Sequence, residues 1–323
     1  MTHRAGLLWV DWLVVAAYAG VLLTFGWRAA RRRESTQDYF VGSHGFGFFT
    51  IGISMFVTLF STISYLSGPG EVIRYGPGVY FGMLITAPIT IPVLVYWLLP
   101  ALMRRRVVSM YQLFEVTLGP GIRTLGACMF LLYRTIWMGV LLHFSSEALG
   151  VIFDVGPGWT PFITIGTGII VIIYTSAGGL RAVMMADVLQ FFVLFFGVLA
   201  AIGIVTLRFG GFGWFPTAWN PDWPAQPVFS MDPTVRLTWV TIALQLFIVD
   251  IAHGADQTQV QRYMASGDLK PAQRAVTVRV LGSIAVWTLL VALGLALVAY
   301  YRHFPGAMPA GETAQTYADR LFP

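Results

Sequence analysis

Cysteine is nearly absent from this chain of 323 residues. The single one, Cys128, lies inside an apolar run, so no disulfide within the chain can form and no thiol chemistry is suggested. Charge is also scarce: 11% of residues are Asp, Glu, Lys or Arg, 57% are hydrophobic, and the mean hydropathy is +0.71. A soluble domain needs far more charge to cover its surface, so the composition points to a membrane protein. Phosphate-binding loops, metal-spaced His/Cys clusters and the HExxH and GxSxG patterns are missing, and the five His are dispersed. Nothing therefore supports an enzyme or a resident cofactor. The net charge of +5 does not signal nucleic acid, because the basic residues fall in short clusters between apolar runs, where they orient helices. The runs do not alternate with period two, as the strands of a membrane barrel would.

What the chain does have is long apolar runs. About eight stretches reach the ~20 residues needed to span a bilayer. They lie near 7–27, 46–74, 78–100, 123–150, 159–178, 183–207, 237–262 and 275–301. Lipid offers no partner for backbone groups, so each is expected to be helical. The first lacks a strong basic start and a small-residue cleavage site, and Arg28 and Arg31–Arg33 follow it. It reads as a retained helix rather than a signal peptide. With the N-terminus outside, about 13 basic residues fall in inner loops, Arg104–Arg106, Arg262 and Arg279 among them, against about 6 outside, the usual positive-inside bias. The longest connection, Arg208–Arg236, then lies outside and carries Trp214, Trp219 and Trp223 to cap that face.

Two stretches hold polar residues at membrane depth. In 51–70, Ser54, Thr58, Ser61, Thr62, Ser64 and Ser67 crowd one span, and Pro69 between two glycines is expected to weaken the helix. Broken helices free backbone carbonyls for cations at the bilayer midplane, although hydroxyls in helices also bond back to their own backbone. In 237–262, Asp250, His253 and Gln257 share one helical face, with Asp256 beside them. Ionisable groups inside a membrane are costly and face a cavity or a partner. Asp187 near a helix start complements the helix dipole, and Arg134 within 123–150 needs a partner, with Glu147 the candidate on its own helix.

Three segments resemble the sodium:solute symporter family: Asp38–Ser43, Tyr174–Val183 followed by Asp187 and Gln190, and Asp256–Tyr263. The third is similar to the anion- and vitamin-carrying branches and to bacterial members. The resemblance implies an all-α integral membrane protein of about eight transmembrane helices. It implies a partial inverted five-helix-repeat fold: an extra helix at 1–27, a first repeat at 28–207, an extracytoplasmic loop at 208–236, the first two helices of an incomplete second repeat at 237–302, and an extracytoplasmic tail at 303–323. It implies sodium at the Val57 and Phe60 carbonyls, with hydroxyl partners on a helix after Pro323 and a sodium-linked acid at Asp187. The sugar-carrying branch has polar residues at the positions of Ser64, Leu84, Val249 and Ser283. Leu84 and Val249 make a poor sugar pocket, because unpaired hydroxyls would be costly there. The expected solute site is Ser64, Thr62, Asp250, His253 and Ser283. The expected function is sodium-coupled symport of a small organic solute, a carboxylate or other nutrient before a sugar, across the plasma or inner membrane, with sodium as coupling ion and no other cofactor. A truncated non-transporting fragment, or a solute-sensing membrane module, is the competing expectation.

Overall fold

The computed structural model describes residues 9–32, 39, 46–105, 109–153, 155–232, 234–235 and 237–304. Of the Asp38–Ser43 segment only Tyr39 is among them, and the 303–323 tail lies outside them beyond Phe304. The described residues are nearly all helical, with no strand.

The helices are α1 (Trp9–Arg32), α2 (Phe48–Leu59), α3 (Thr62–Tyr75), α4 (Gly78–Pro92), α5 (Leu99–Arg104), α6 (Met110–Leu118), α7 (Pro120–Ile152), α8 (Thr160–Arg208), α9 (Trp239–Leu244), α10 (Gln257–Ala265) and α11 (Leu269–His303). A π-helical stretch, Val93–Leu98, joins α4 to α5, and a second, Gln245–Ala252, extends α9. Five helices are long and apolar enough to cross a membrane, and the bent pairs α2/α3 (65°) and α9/α10 (51°) raise the number to seven. At 49 residues, α8 is about 74 Å long, more than twice the ~30 Å of hydrocarbon it would cross. It breaks at Gly179 (φ 60°, ψ −160°), between the two stretches that its sequence suggests. A Cβ there would sit 2.7 Å from the Tyr39 ring, so both the backbone and the space demand glycine.

The helix α2 is the hub. Every residue from Ile51 to Val57 is buried. One core joins Phe56, Phe60, Val72, Phe191, Leu290 and Leu293 across α2, α3, α8 and α11. A second joins Ile51, Met55, Leu94, Leu99, Tyr263 and Ala275 across α2, the Val93–Leu98 stretch, α5, α10 and α11. In lipid such contacts come from close packing rather than from expelled water, so small residues set them. Gly52 packs so tightly on α11 that a Cβ would lie 2.6 Å from the Ala275 carbonyl. By contrast α7 exposes Met129, Leu131, Leu132 and Ile136, a surface suited to hydrocarbon.

The connection after α8 is pinned to the bundle. Trp223 is buried and donates its indole N–H to the Ile73 carbonyl at 3.1 Å. Trp214 is buried and donates to Thr206 at 2.8 Å. Arg302 at the end of α11 pairs with Asp222 and donates to Asn220. Trp219, the third expected cap, is half exposed and stacks edge-on against Trp223.

Candidate functional site

Pro69, expected to weaken the second span, lies within α3, and the break comes earlier in the Ser/Thr-rich stretch, at Phe60 and Ser61. Phe60 is extended (φ −97°, ψ 114°), and Ser61 caps α3 by accepting the Ser64 N–H at 3.3 Å. The cap replaces a helical bond that the turn has lost, which makes a break cheap where a serine can do this. Beside the break, Val57 accepts the Phe60 N–H at 3.0 Å, and the Phe60 carbonyl takes no backbone hydrogen bond from outside the helices among the described residues.

A cavity of about 190 Å³ opens at this break. It gathers Ser64 from α3, Asp250 from the π-helical stretch, His253 just beyond it, and Ser283 from α11. Four of the five residues expected to meet a solute thus line one space; the fifth, Thr62, has no described side chain. Phe60 and Val249 line it too. Leu84 does not: it is exposed on the other side of α4, and Met83 takes its place. Trp287 closes one wall, stacked on Tyr80 at 4.8 Å and edge-on to Phe60 at 5.6 Å.

Asp250 is held from α4. Thr86 and Thr90, both buried, donate to its Oδ2 at 2.9 and 3.3 Å. They stand four residues apart on one helical face, so one carboxylate oxygen reaches both. The sequence signal was two threonines in an apolar run, which by itself is weak.

Gln257 does not share the face of Asp250 and His253. The π-helical turn and the break after it carry Gln257 away, and its Oε1 accepts the Met110 N–H at 2.9 Å. Asp256 caps α10 by accepting from Thr258 N–H at 2.9 Å, and it pairs with Arg134 at 2.6 Å. Glu147 is thus not the partner of Arg134; it lies exposed beside His143 at 3.5 Å.

The Asp256–Tyr263 segment works as a fastener at the end of the bundle away from the 209–238 connection. Gln259 donates to the Met55 carbonyl at 3.1 Å. Tyr263 donates to the Gly254 carbonyl at 2.9 Å, satisfying a group that the break leaves free. Arg262 donates to Ser54 at 2.7 Å, to Asp187 at 3.1 Å and to the Thr258 carbonyl at 2.9 Å. Ser54 in turn donates to Asp187 at 2.5 Å. Asp187 is therefore neutralised by a guanidinium rather than by a helix dipole, and this network ties α2, α8 and α10 together. Arg262 and Arg279 are not loop residues, as their place in the inner count implied; both are buried in helices.

A family model, the sodium:solute symporter family, matches residues 39–321. The chain belongs to this family. The sodium-dependent multivitamin transporter of Oryctolagus cuniculus is 29% identical over 94% of this chain and 48% of its own length. The sodium/sialic acid symporter of Aliivibrio fischeri is 24% identical over 93% of this chain and 59% of its own. The sodium-coupled monocarboxylate transporter 1 of Xenopus laevis is 25% identical over 90% and 46%. A substrate-bound, outward-open Na+-coupled sialic acid symporter has the same fold, with a TM-score of 0.83 at 22% identity over 98% of this chain and 66% of that one. The chain thus spans about half the length of the curated relatives it matches. These relatives are transporters, not enzymes, and family and apolar helices together make this a multi-pass membrane protein.

Proposed function

We propose that this chain carries the solute cavity, and part of the sodium site, of a sodium-coupled symporter for a small organic solute. The observation behind the proposal is the cavity at the α2/α3 break, where polar groups from four elements converge inside an apolar bundle. Most ligand pockets pair an apolar lining with a few placed polar groups in this way.

Sodium is cargo as well as coupling ion. Its contacts are the Val57 and Phe60 carbonyls at the break, completed by hydroxyls from a segment following Pro323. Asp187 takes part only when the ion displaces Arg262, since a buried carboxylate does not hold two counter-charges in the same place. Sodium binding favours one arrangement of the helices, solute binds beside it, and rocking of the bundle exposes both to the other side. The two limbs of α8, 160–178 and 180–208, count as separate spans and bring the total to about eight. In this reading 1–27 is an extra helix, 28–207 the first repeat and 237–302 the start of the second. The basic clusters set the N-terminus and the 209–238 connection outside the cell membrane.

The solute is a carboxylate or similar nutrient rather than a sugar. Val249, Met83 and Phe60 give the cavity an apolar side, and the matched relatives' names include monocarboxylate, and sialic acid, a sugar that carries a carboxylate. The test is protection of the cavity. In a Cys128→Ser background, a Ser283→Cys variant should react with a small maleimide, and sodium with solute should slow that reaction at least roughly tenfold. Equal rates with and without both would remove the cavity from the transport path.

A further inference from the structure

Among the described residues, no counter-charge or hydrogen-bond acceptor meets the cavity residue Arg279. It stands in α11 at 5% exposure, and its Nε is buried with no hydrogen-bond partner. Among the described residues it makes no ion pair or hydrogen bond. The other buried arginine differs: Arg262 has Ser54, Asp187 and the Thr258 carbonyl. The half-buried Arg134 also has an Nε without a partner, but its charge is met by Asp256. Asp250 lies in the same cavity yet forms no ion pair with it. Both threonine hydrogen bonds to Asp250 land on Oδ2, and among the described residues none reaches Oδ1.

A guanidinium out of water without a counter-charge is strongly unfavourable, and more so at membrane depth. A structural arginine would have a partner supplied by the fold. This one faces a cavity, and among the described residues the fold gives it no partner, which leaves its fork open to an anion that enters the cavity. A guanidinium is a planar fork that matches a carboxylate with two parallel hydrogen bonds, which a lysine cannot do. Across the same space, the open oxygen of Asp250 accepts a hydrogen bond and repels a second anion.

We infer that Arg279 binds the carboxylate of the transported solute, while Asp250 Oδ1 accepts from a donor group on the same molecule. The class this selects is small hydroxy- or amino-carboxylates. The inference rests on the cavity being the solute site.

The experiment uses the full-length polypeptide in liposomes with an inward sodium gradient. Uptake of labelled lactate, alanine and glucose is measured, with lactamide, alaninamide and propionate as competitors. Lactate or alanine should enter, and the carboxylates should compete at least roughly tenfold better than their amides. Arg279→Gln should weaken apparent affinity by roughly 100-fold, with Arg279→Lys between the two. The solute-free Arg279→Gln protein should melt no lower than the parent, because it loses a buried charge without stranding a partner. Sodium-driven uptake of glucose that carboxylates do not inhibit would overturn the inference while leaving symport intact. So would an Arg279→Gln protein that keeps its preference for carboxylates. A lowered melting temperature restored by adding Asp250→Asn would show a structural pair instead. Absence of sodium-driven uptake of every compound would overturn the reading of the cavity along with it.

Discussion

Buried charge in this protein comes in three conditions, and each makes its own demand. Arg262 and Asp187 are paired and further hydrogen-bonded. Removing either leaves the other charged and buried, which typically costs about 3–5 kcal/mol. Asp187→Asn and Arg262→Gln should each lower stability by that order in a denaturation experiment in detergent. The double variant should lose less than the sum, because the two act as one unit. Single losses below about 1 kcal/mol would mean the pair is wet and slack. Arg134 and Asp256 are partly exposed, so their pair should matter less. Among the described residues, Arg279 is buried with no partner for its charge. None of these distinctions could be read from the sequence. It showed that Asp250 and His253 sit at membrane depth, and they do share a cavity. It could not show that Arg134 meets Asp256, since the two are 122 positions apart and only the fold joins them. It also counted Arg262 and Arg279 as loop residues, because a lone arginine near a span end looks the same whether it faces water or the interior.

At the level of elements, helix breaks carry the chemistry, and the residues that cause them are modest. A serine cap sets the α2/α3 break, whereas Pro69, the louder signal, sits within α3. The α9/α10 break follows a π-helical stretch, which sequence periodicity does not reveal, and this is why the expected face of 250, 253 and 257 splits. The break in α8 was legible, because Gly178 and Gly179 stand between two apolar runs. Gly179→Ala forces a side chain into a left-handed backbone and against the Tyr39 ring. It should cost about 1–3 kcal/mol, seen as a lower melting temperature, and should loosen the Tyr39 hydroxyl from the Ser176 carbonyl it now meets at 3.2 Å. An unchanged melting temperature would mean that the two limbs of α8 do not meet at this angle.

Across the whole molecule, composition already settled the class, and the apolar runs settled most of the helices. What they could not supply is the way α2 lies against α8 and α11, since that depends on Gly52 and on Arg262 reaching Ser54 and Asp187. The cavity follows from that packing, with Ser64, Asp250, His253 and Ser283 drawn from distant parts of the chain. The symport account requires this arrangement to respond to sodium. The most direct test is uptake of a labelled small carboxylate by liposomes holding the full-length polypeptide, with sodium outside and potassium inside. The account predicts accumulation that collapses when external sodium is replaced by potassium and is lost in Asp250→Asn. Equal uptake with and without sodium would contradict it.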